Sequence, residues 1–162
     1  MKSLLILRHA KSDWGEPGLK DQERPLNKRG RKAAPKIGQL LREKDLLPDL
    51  VLCSTAVRAR STAEMAAAAS GYQGKIEFLP SLYAAPPEAY IAALSALPDT
   101  LQSVMVVGHN PGLEELLQDL TSKYEPLPTA ALAYVRLPIE HWAELADDAA
   151  GELVHVWRPK EI

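Results

Sequence analysis

The length, composition and charge of the chain limit what it can be. Its 162 residues, of which 46% are hydrophobic and 25% charged, predict one globular domain over residues 1–162 and exclude a disordered or fibrous protein. The formal net charge is −2, whereas proteins that bind nucleic acids or membrane surfaces are typically strongly basic. A site for an anion would therefore have to come from a local cluster of positive side chains.

The predicted elements alternate between strands and helices. In chain order they are a strand over 3–7, a helix over 32–44, a strand over 49–53, helices over 57–70 and 88–97, a strand over 103–107, a helix over 112–122 and late strands over 131–137 and 152–157. The three earlier strands are continuous apolar runs, which are typical of strands buried on both faces. The alternation predicts an α/β fold with a largely parallel sheet.

Two residues give opposite indications of where the first helix begins. Asn27 is a plausible N-cap. Pro35 would then fall in the helix interior, where a missing N–H kinks the helix or delays its start. The sequence leaves this boundary open.

The N-terminal segment and the cysteine content indicate a cytoplasmic protein. The apolar run at residues 4–7 stops at Arg8, which makes it too short for a signal peptide or a membrane span. The single cysteine, Cys53, excludes an internal disulfide and a cysteine-rich zinc site. We therefore expect a soluble protein with no membrane partner.

Basic and imidazole side chains follow each of the three apolar strands. Arg8 and His9 follow the first strand, Arg58 the second and His109 the third. Open α/β sheets bind ligands at the carboxyl ends of their strands, so parallel strands would bring these four side chains to one edge.

Four such side chains, with no acid among them, would repel one another unless the site is built for an anion. Phosphate is the natural candidate, because guanidinium groups match its oxygens bidentately and helix N-termini after Ser54 and Asn110 would add backbone donors. Neither a Walker-type glycine loop nor a metal-ligand spacing such as His-Glu-x-x-His is present. The positive charge must come from the side chains, and we expect no metal and no cofactor.

Four sequence blocks surround these residues in a recognisable order. They are Arg8-His9-Ala10-Lys11-Ser12, Glu23-Arg24-Pro25-Leu26-Asn27, Ser54-Thr55-Ala56-Val57-Arg58 and Gly108-His109-Asn110-Pro111. Together they resemble the histidine phosphatase superfamily, and within it the short bacterial SixA-type phosphohistidine phosphatases. The resemblance implies a three-layer α/β sandwich, with helices on both faces of a mostly parallel sheet.

The resemblance also implies a role for each residue. His9 would be the nucleophile that takes the phosphoryl group, and Arg8, Arg24, Arg58 and His109 would bind its oxygens, His109 as a second catalytic residue. A neutral imidazole, with a pKa of about 6.5, has a free lone pair at pH 7 if its other nitrogen donates to a carbonyl or carboxylate. Water would then attack the phosphohistidine without help from a metal.

The chain departs from the mutase and phosphomonoesterase branches at one position. Those branches carry a glutamate general acid in a Leu-x-Glu context, whereas Leu82-Tyr83-Ala84 puts alanine there. An alkoxide leaving group needs a delivered proton, a contribution of roughly 10²–10⁴-fold, while the far less basic imidazole needs it much less. The departure favours phosphohistidine as substrate, although Glu88, the nearest downstream acid, could substitute.

The sequence leaves three functions open. The leading one is a phosphatase acting on phosphohistidine in a signalling or phosphorelay protein. The alternatives are a small-molecule phosphomonoesterase, favoured if Glu88 lies near the phosphate, and a non-catalytic phosphate-binding module. The expected partner is a phosphorylated protein or small phosphorylated substrate rather than nucleic acid. The basic run at residues 28–32 is a solvated helix start or a guide for an acidic phosphoprotein. The sequence does not decide the oligomeric state.

Overall fold

A computed structural model of the chain describes residues 1–14, 17–147 and 150–162. In chain order, its strands and α-helices are β1 (Lys2–Arg8), α1 (Lys28–Glu43), β2 (Leu50–Ser54), α2 (Val57–Ser70), β3 (Ile76–Leu79), α3 (Pro87–Ser95), β4 (Ser103–Gly108), α4 (Gly112–Thr121), β5 (Leu132–Leu137) and β6 (Glu152–Trp157). Short 3-10 turns lie at Asp21–Glu23, Pro80–Leu82, Trp142–Asp147 and Pro159–Glu161. None of the helices in the described ranges is long and apolar enough to cross a lipid bilayer.

The strands form one mixed sheet in the order β3-β2-β4-β1-β5-β6. The first four strands in this order, β3, β2, β4 and β1, are parallel to one another. β5 pairs antiparallel with β1 and with β6. The predicted α/β fold with a largely parallel sheet is confirmed, and the two late strands add an antiparallel edge.

Helices cover both faces of the sheet. Alternate residues of β1 point to opposite faces, so Leu5 and Leu7 join the core formed with α1 and α2. Leu4 and Ile6 join the core formed with α3 and α4. All four are buried, which explains why this strand is an unbroken apolar run in the sequence. The three-layer sandwich implied by the family resemblance is confirmed.

Two elements differ from the sequence-based expectation. α1 begins at Lys28 rather than at residue 32, because the Asn27 side chain accepts a hydrogen bond of 2.9 Å from the Gly30 N–H and so caps the helix there. Pro35 lies inside the helix, which is retained because Ala34 and Ile37 are buried against the core. β3 was not predicted, since it is a short edge strand whose residues are all half-buried.

The fold sets the carboxyl ends of three parallel strands side by side. Arg8 of β1 pairs with Gly108 of β4, and Cys53 of β2 pairs with Val107 of β4. The segments that follow these strands therefore start at one edge of the sheet.

Candidate active site

One pocket of about 260 Å³ at this edge contains all five residues predicted for the site. Arg8 ends β1, His9 follows it, Arg58 lies in the first turn of α2 and His109 follows β4. Arg24 reaches the pocket from the loop between β1 and α1. The remaining lining residues are Lys11, Ser12, Trp14, Ala84, Asn110 and Thr129.

His9 is held as a neutral imidazole in a defined tautomer. Its side chain is buried, and its Nδ1 lies 2.8 Å from the carbonyl oxygen of Ala10. A carbonyl only accepts, so Nδ1 carries the proton and Nε2 keeps the lone pair. Burial lowers the pKa of His9 to about 3, and the nearby His109, Arg58 and Arg8 act in the same direction. At pH 7 the ring is therefore neutral and able to act as a nucleophile.

His109 lies beside His9, with a ring-centroid separation of 5.2 Å, and contacts Ser54. Its Nε2 is 2.8 Å from Ser54 Oγ, and that oxygen already accepts the Ala56 N–H at 3.2 Å. The Ser54 hydroxyl can donate its proton to Nε2, and in that arrangement the His109 proton lies on Nδ1. Burial, followed by the charge of Arg58, lowers the pKa of His109 to about 4.

This tautomer gives His109 a hydrogen-bond donor for an oxyanion. Nδ1 is buried and has no hydrogen-bond partner within the described part of the chain, and the same holds for Nε of Arg8. Sequence reasoning assigned Ser54 only to a helix start. Its role in setting the tautomer depends on a contact between residues 55 positions apart.

A carboxylate that the sequence analysis missed joins two of the arginines. Asp21 Oδ1 accepts from Arg24 Nη1 at 2.8 Å, and Oδ2 accepts from Arg58 Nη2 at 2.9 Å and from the Tyr83 hydroxyl. The Asp21 carbonyl accepts from Arg58 Nη1 at 2.7 Å. The Tyr83 hydrogen bond, together with those from both arginines, holds the pKa of Asp21 well below its usual range.

The cationic cluster predicted from the sequence is therefore accompanied by one carboxylate, that of Asp21, which contacts Arg24 and Arg58. Two adjacent guanidinium groups are held together because an ionised carboxylate lies between them. Asp21 is separated from Arg58 by 37 positions, and its position in the sequence carries no motif.

The loop before β5 forms another wall that sequence reasoning did not assign to the site. The carbonyl oxygen of Leu127 accepts from Arg8 Nη1 at 3.1 Å and from Asn110 Nδ2 at 2.8 Å. The Leu127 N–H in turn donates to Glu114 at 2.7 Å, and the neighbouring Thr129 lines the pocket. The loop therefore fixes the orientation of Arg8.

Arg24 lies at the rim of the pocket, where its guanidinium stacks 3.4 Å above the Trp14 ring. Its Nε donates to the Asp13 carbonyl at 3.1 Å, and its Nη2 donates to Ser12 Oγ. Trp14 is 78% exposed. Arg24 is thus oriented by four different groups, while the aromatic ring beneath it faces solvent.

Glu88, the alternative general acid, lies on α3 and lines a different cleft with α4 residues such as Asp119. Ala84 lines the site itself. No carboxylate lines the pocket within the described ranges, since Asp21 contacts the arginines without lining it. Nor do three His, Cys, Asp or Glu side chains of those ranges cluster in a way that could hold a metal ion.

Three comparisons with known proteins bear on this pocket. The histidine phosphatase superfamily (branch 1) matches residues 4–83. An uncharacterised protein of Mycobacterium tuberculosis is 34% identical over 90% of this chain and 95% of its own length. A crystal structure from Escherichia coli, assigned as an alpha-ribazole-5'-P phosphatase, is 21% identical, with a TM-score of 0.68 over 87% of this chain and 93% of that one. This last similarity shows a shared fold.

A further solved structure matches almost the whole chain. It is assigned as the phosphohistidine phosphatase SixA from Agrobacterium tumefaciens, with a TM-score of 0.84 and coverage of 98% of both chains. Sequence identity to it is 31%. The chain therefore belongs to the histidine phosphatase superfamily, as a phosphatase of the SixA type.

Proposed function

We propose that this phosphatase removes the phosphoryl group from a phosphohistidine of a signalling or phosphorelay protein, through a second phosphohistidine formed on its own His9. The observation that carries the proposal is a buried, neutral His9 whose Nε2 lone pair is free, in a pocket of guanidinium groups with alanine at position 84. Such a pocket suits the transfer of an anionic phosphoryl group to a nucleophile when the leaving group needs no placed proton donor.

The proposed reaction has two displacement steps. His9 Nε2 attacks phosphorus, the P–N bond to the substrate imidazole breaks, and that imidazole leaves with the electron pair and takes a proton from water. Water then attacks the phosphoryl group on His9, the P–Nε2 bond breaks with its electron pair returning to His9, and the proton released with inorganic phosphate neutralises the hydroxide left by the first step. The charges of Arg8, Arg24 and Arg58 and the Nδ1–H of His109 stabilise the equatorial oxygens in both transition states. Because guanidinium groups supply the positive charge, we propose that the reaction needs no metal ion.

The leaving group distinguishes the proposal from a small-molecule phosphomonoesterase. Glu88 lines another cleft and Ala84 lines the pocket, so among the residues that the structure describes no carboxylic acid is placed to protonate an alkoxide in this pocket. The solved structure most relevant to the substrate is that assigned as phosphohistidine phosphatase SixA. The fold shared with the alpha-ribazole-5'-P phosphatase keeps a small phosphate ester as the second candidate. A phosphorelay substrate fits our prediction of a cytoplasmic protein.

A substrate panel tests the function. Wild type, His9→Ala and the control His155→Ala, which removes an exposed histidine of β6, are compared on p-nitrophenyl phosphate, several sugar phosphates and a phosphohistidine carrier protein. We expect kcat/KM for the phosphohistidine protein to exceed that for sugar phosphates by about 10²-fold or more, the range that a placed acid supplies for alkoxides. EDTA leaves turnover unchanged.

The same panel tests the intermediate. Brief mixing with substrate followed by a denaturing quench at alkaline pH traps an acid-labile phosphoryl group on wild type and on His155→Ala but not on His9→Ala, whose turnover is lost. Turnover of sugar phosphates well above that of the phosphohistidine protein establishes the small-molecule alternative. Unchanged activity of His9→Ala removes His9 as nucleophile.

A further inference from the structure

A second cleft, strongly basic, opens beside the active-site pocket. It has a volume of about 350 Å³ and is lined by Lys11, Arg29, Lys32, Ala33, Lys36, Thr129, Pro159 and Lys160. Lys11 and Thr129 line both this cleft and the active-site pocket. The two cavities are therefore adjacent, and a molecule bound in the cleft would lie next to a phosphoryl group on His9.

The cations of this basic cleft lack counter-charges. Across the ranges that the structure describes, no carboxylate lines the cleft, and none of its five cationic side chains forms an ion pair. All five residues are exposed. In the active site, by contrast, Arg24 and Arg58 share the carboxylate of Asp21. An excess of positive charge is thus concentrated here in a protein whose formal net charge is −2.

This placement of charge works against the helix that carries it. Arg29, Lys32 and Lys36 follow one another at helical spacing along one face of α1, whose first turn contains no acidic residue. Positive charge near a helix N-terminus opposes the helix dipole, and like charges three or four residues apart repel. Acidic side chains in the first turn would stabilise α1 better, so the stability of the helix does not explain the basic residues.

We propose that the basic cleft docks an acidic surface of the phosphoprotein substrate, next to the phosphohistidine that enters the active site. The inference rests on the proposed function and specifies how the substrate is recognised. Arg29 and Lys36 lie about 10 Å apart along the axis of α1 at 1.5 Å per residue. Carboxylates spread over a protein face match this spread of charge, and complementary charge accelerates and orients docking.

The residue types favour a protein face over the second phosphate of a small molecule. Four of the five cations are lysines, which act as flexible point charges, whereas compact phosphate sites use guanidinium forks and fixed backbone donors. The active-site pocket itself has that second character, with Arg8, Arg24 and Arg58 around His9. The two cavities are therefore suited to different anionic groups on one substrate.

Charge reversal in the cleft tests the proposal. The variant is Lys32→Glu/Lys36→Glu, and the matched control is Lys75→Glu/Lys123→Glu. Both control lysines are exposed; Lys75 directly precedes β3 and Lys123 follows the end of α4, so they lie toward the amino ends of the parallel strands, away from the active site. The substrates are an acidic histidine-phosphotransfer domain phosphorylated on its histidine, p-nitrophenyl phosphate, and a sugar bisphosphate with its monophosphate.

We expect the cleft variant to lower kcat/KM for the phosphorylated domain about tenfold or more, mainly through KM, and to flatten its dependence on salt. Turnover of p-nitrophenyl phosphate stays within twofold, which also reports that the variant folds. The control variant stays within twofold of wild type on both substrates.

Three results would overturn the proposal, and they are distinguishable. Wild type that hydrolyses p-nitrophenyl phosphate but not the phosphorylated domain contradicts the proposed function and with it the docking. If wild type acts on the domain, and the cleft variant has the same kcat/KM and salt dependence as either wild type or the control pair, the docking alone is contradicted. The third result is a cleft variant whose KM for the bisphosphate, relative to its KM for the monophosphate, rises as much as its KM for the domain. The cleft would then be a subsite for a second phosphate of a small molecule.

Discussion

Among the titratable residues of the site, burial keeps the histidines neutral while the arginines stay ionised. His9 and His109 have pKa values lowered to about 3 and about 4, chiefly by loss of solvent, so both are neutral at pH 7. The pKa of Arg8 is also lowered by burial, from 12.5, yet a guanidinium remains charged at any pH of interest. One environment therefore yields a free lone pair for attack and fixed charges for the phosphoryl oxygens.

Asp21 is the residue whose change most directly tests how these charges are arranged. In Asp21→Asn, Arg24 and Arg58 lose the shared carboxylate, and the buried Arg58 loses its charge partner. We expect the free energy of unfolding to fall by about 1–3 kcal/mol and kcat for p-nitrophenyl phosphate to fall about tenfold. Inhibition by inorganic phosphate should not weaken, because one negative charge has left the site. Denaturant unfolding and steady-state kinetics measure these quantities.

Glu23→Gln is the matched control for that change. Glu23 lies in the same short turn and is exposed, and its carboxylate contacts neither Arg24 nor Arg58. The charge change is identical, so stability and kcat should stay near wild type. Equal losses in both variants would mean that net charge, rather than the contact with the arginines, is responsible.

Among the elements, the segment from β1 to α1 determines the shape of the pocket. It folds back on itself, with a bridge between Ser12 and Leu26 and a hydrogen bond of 3.0 Å from the Asn27 N–H to the Lys11 carbonyl. α1 packs against this turn at Gly30, where a Cβ atom would lie 2.1 Å from the Lys11 oxygen. The glycine is required by close approach of the two segments.

Gly30→Ala tests that contact. Alanine favours a helix over glycine by about 1 kcal/mol, but the added methyl group must displace the Lys11 backbone, and overpacking costs roughly 1–3 kcal/mol. We expect lower stability and a lower kcat, since Lys11 follows His9 closely in the chain. Thermal unfolding and turnover of p-nitrophenyl phosphate are the measurements.

Gly38→Ala on the same helix separates packing from activity. A Cβ at Gly38 would lie 2.3 Å from the Ala66 oxygen of α2, away from the pocket. This variant should lose stability to a similar extent while the folded protein keeps its kcat. If Gly30→Ala loses stability without loss of kcat, the turn after His9 does not shape the pocket.

At the scale of the whole molecule, the buried histidines make stability depend on pH. Both have native pKa values below the 6.5 of a free imidazole, so the unfolded chain takes up protons first as the pH falls. Their contribution to stability is present above pH 6.5 and is lost as the pH falls toward 4 for His109 and toward 3 for His9. At pH 5 the loss is about 2 kcal/mol for each histidine. His141 has a raised pKa and acts in the opposite direction, but weakly because it is exposed.

Urea unfolding between pH 5 and pH 8 measures this dependence. The double variant His9→Gln/His109→Gln cannot take up these protons in the unfolded state, so its stability should vary less over the same range. The same loss in wild type and the double variant between pH 8 and pH 5 would show that other groups are responsible.

Much of the fold was predictable because its signals are local. Unbroken apolar runs mark β1, β2 and β4, which are buried on both faces, and the bounds of α2 and β6 agree with those expected from the sequence. β3 gives a weaker signal because edge strands are short and half-exposed. The cap at Asn27 and the interior Pro35 give opposite indications for α1, and only packing of the helix against the sheet decides between them.

The sequence by itself determined which residues meet at the sheet edge, because each follows an apolar strand and parallel strands end together. Arg8, His9, Arg58 and His109 are placed by that rule alone. The tertiary structure decided the partners that tune them, namely the Asp21 carboxylate on Arg58, the Ser54 hydroxyl on His109 and the Leu127 carbonyl on Arg8.

The same distinction holds for the basic cleft, which joins α1 to Lys160 near the C-terminus. Periodicity and strand ends report on neighbours in the chain. Contacts across 37, 55 or 119 positions depend on the paths of loops, and those paths follow from packing of the whole chain because no local pattern encodes them.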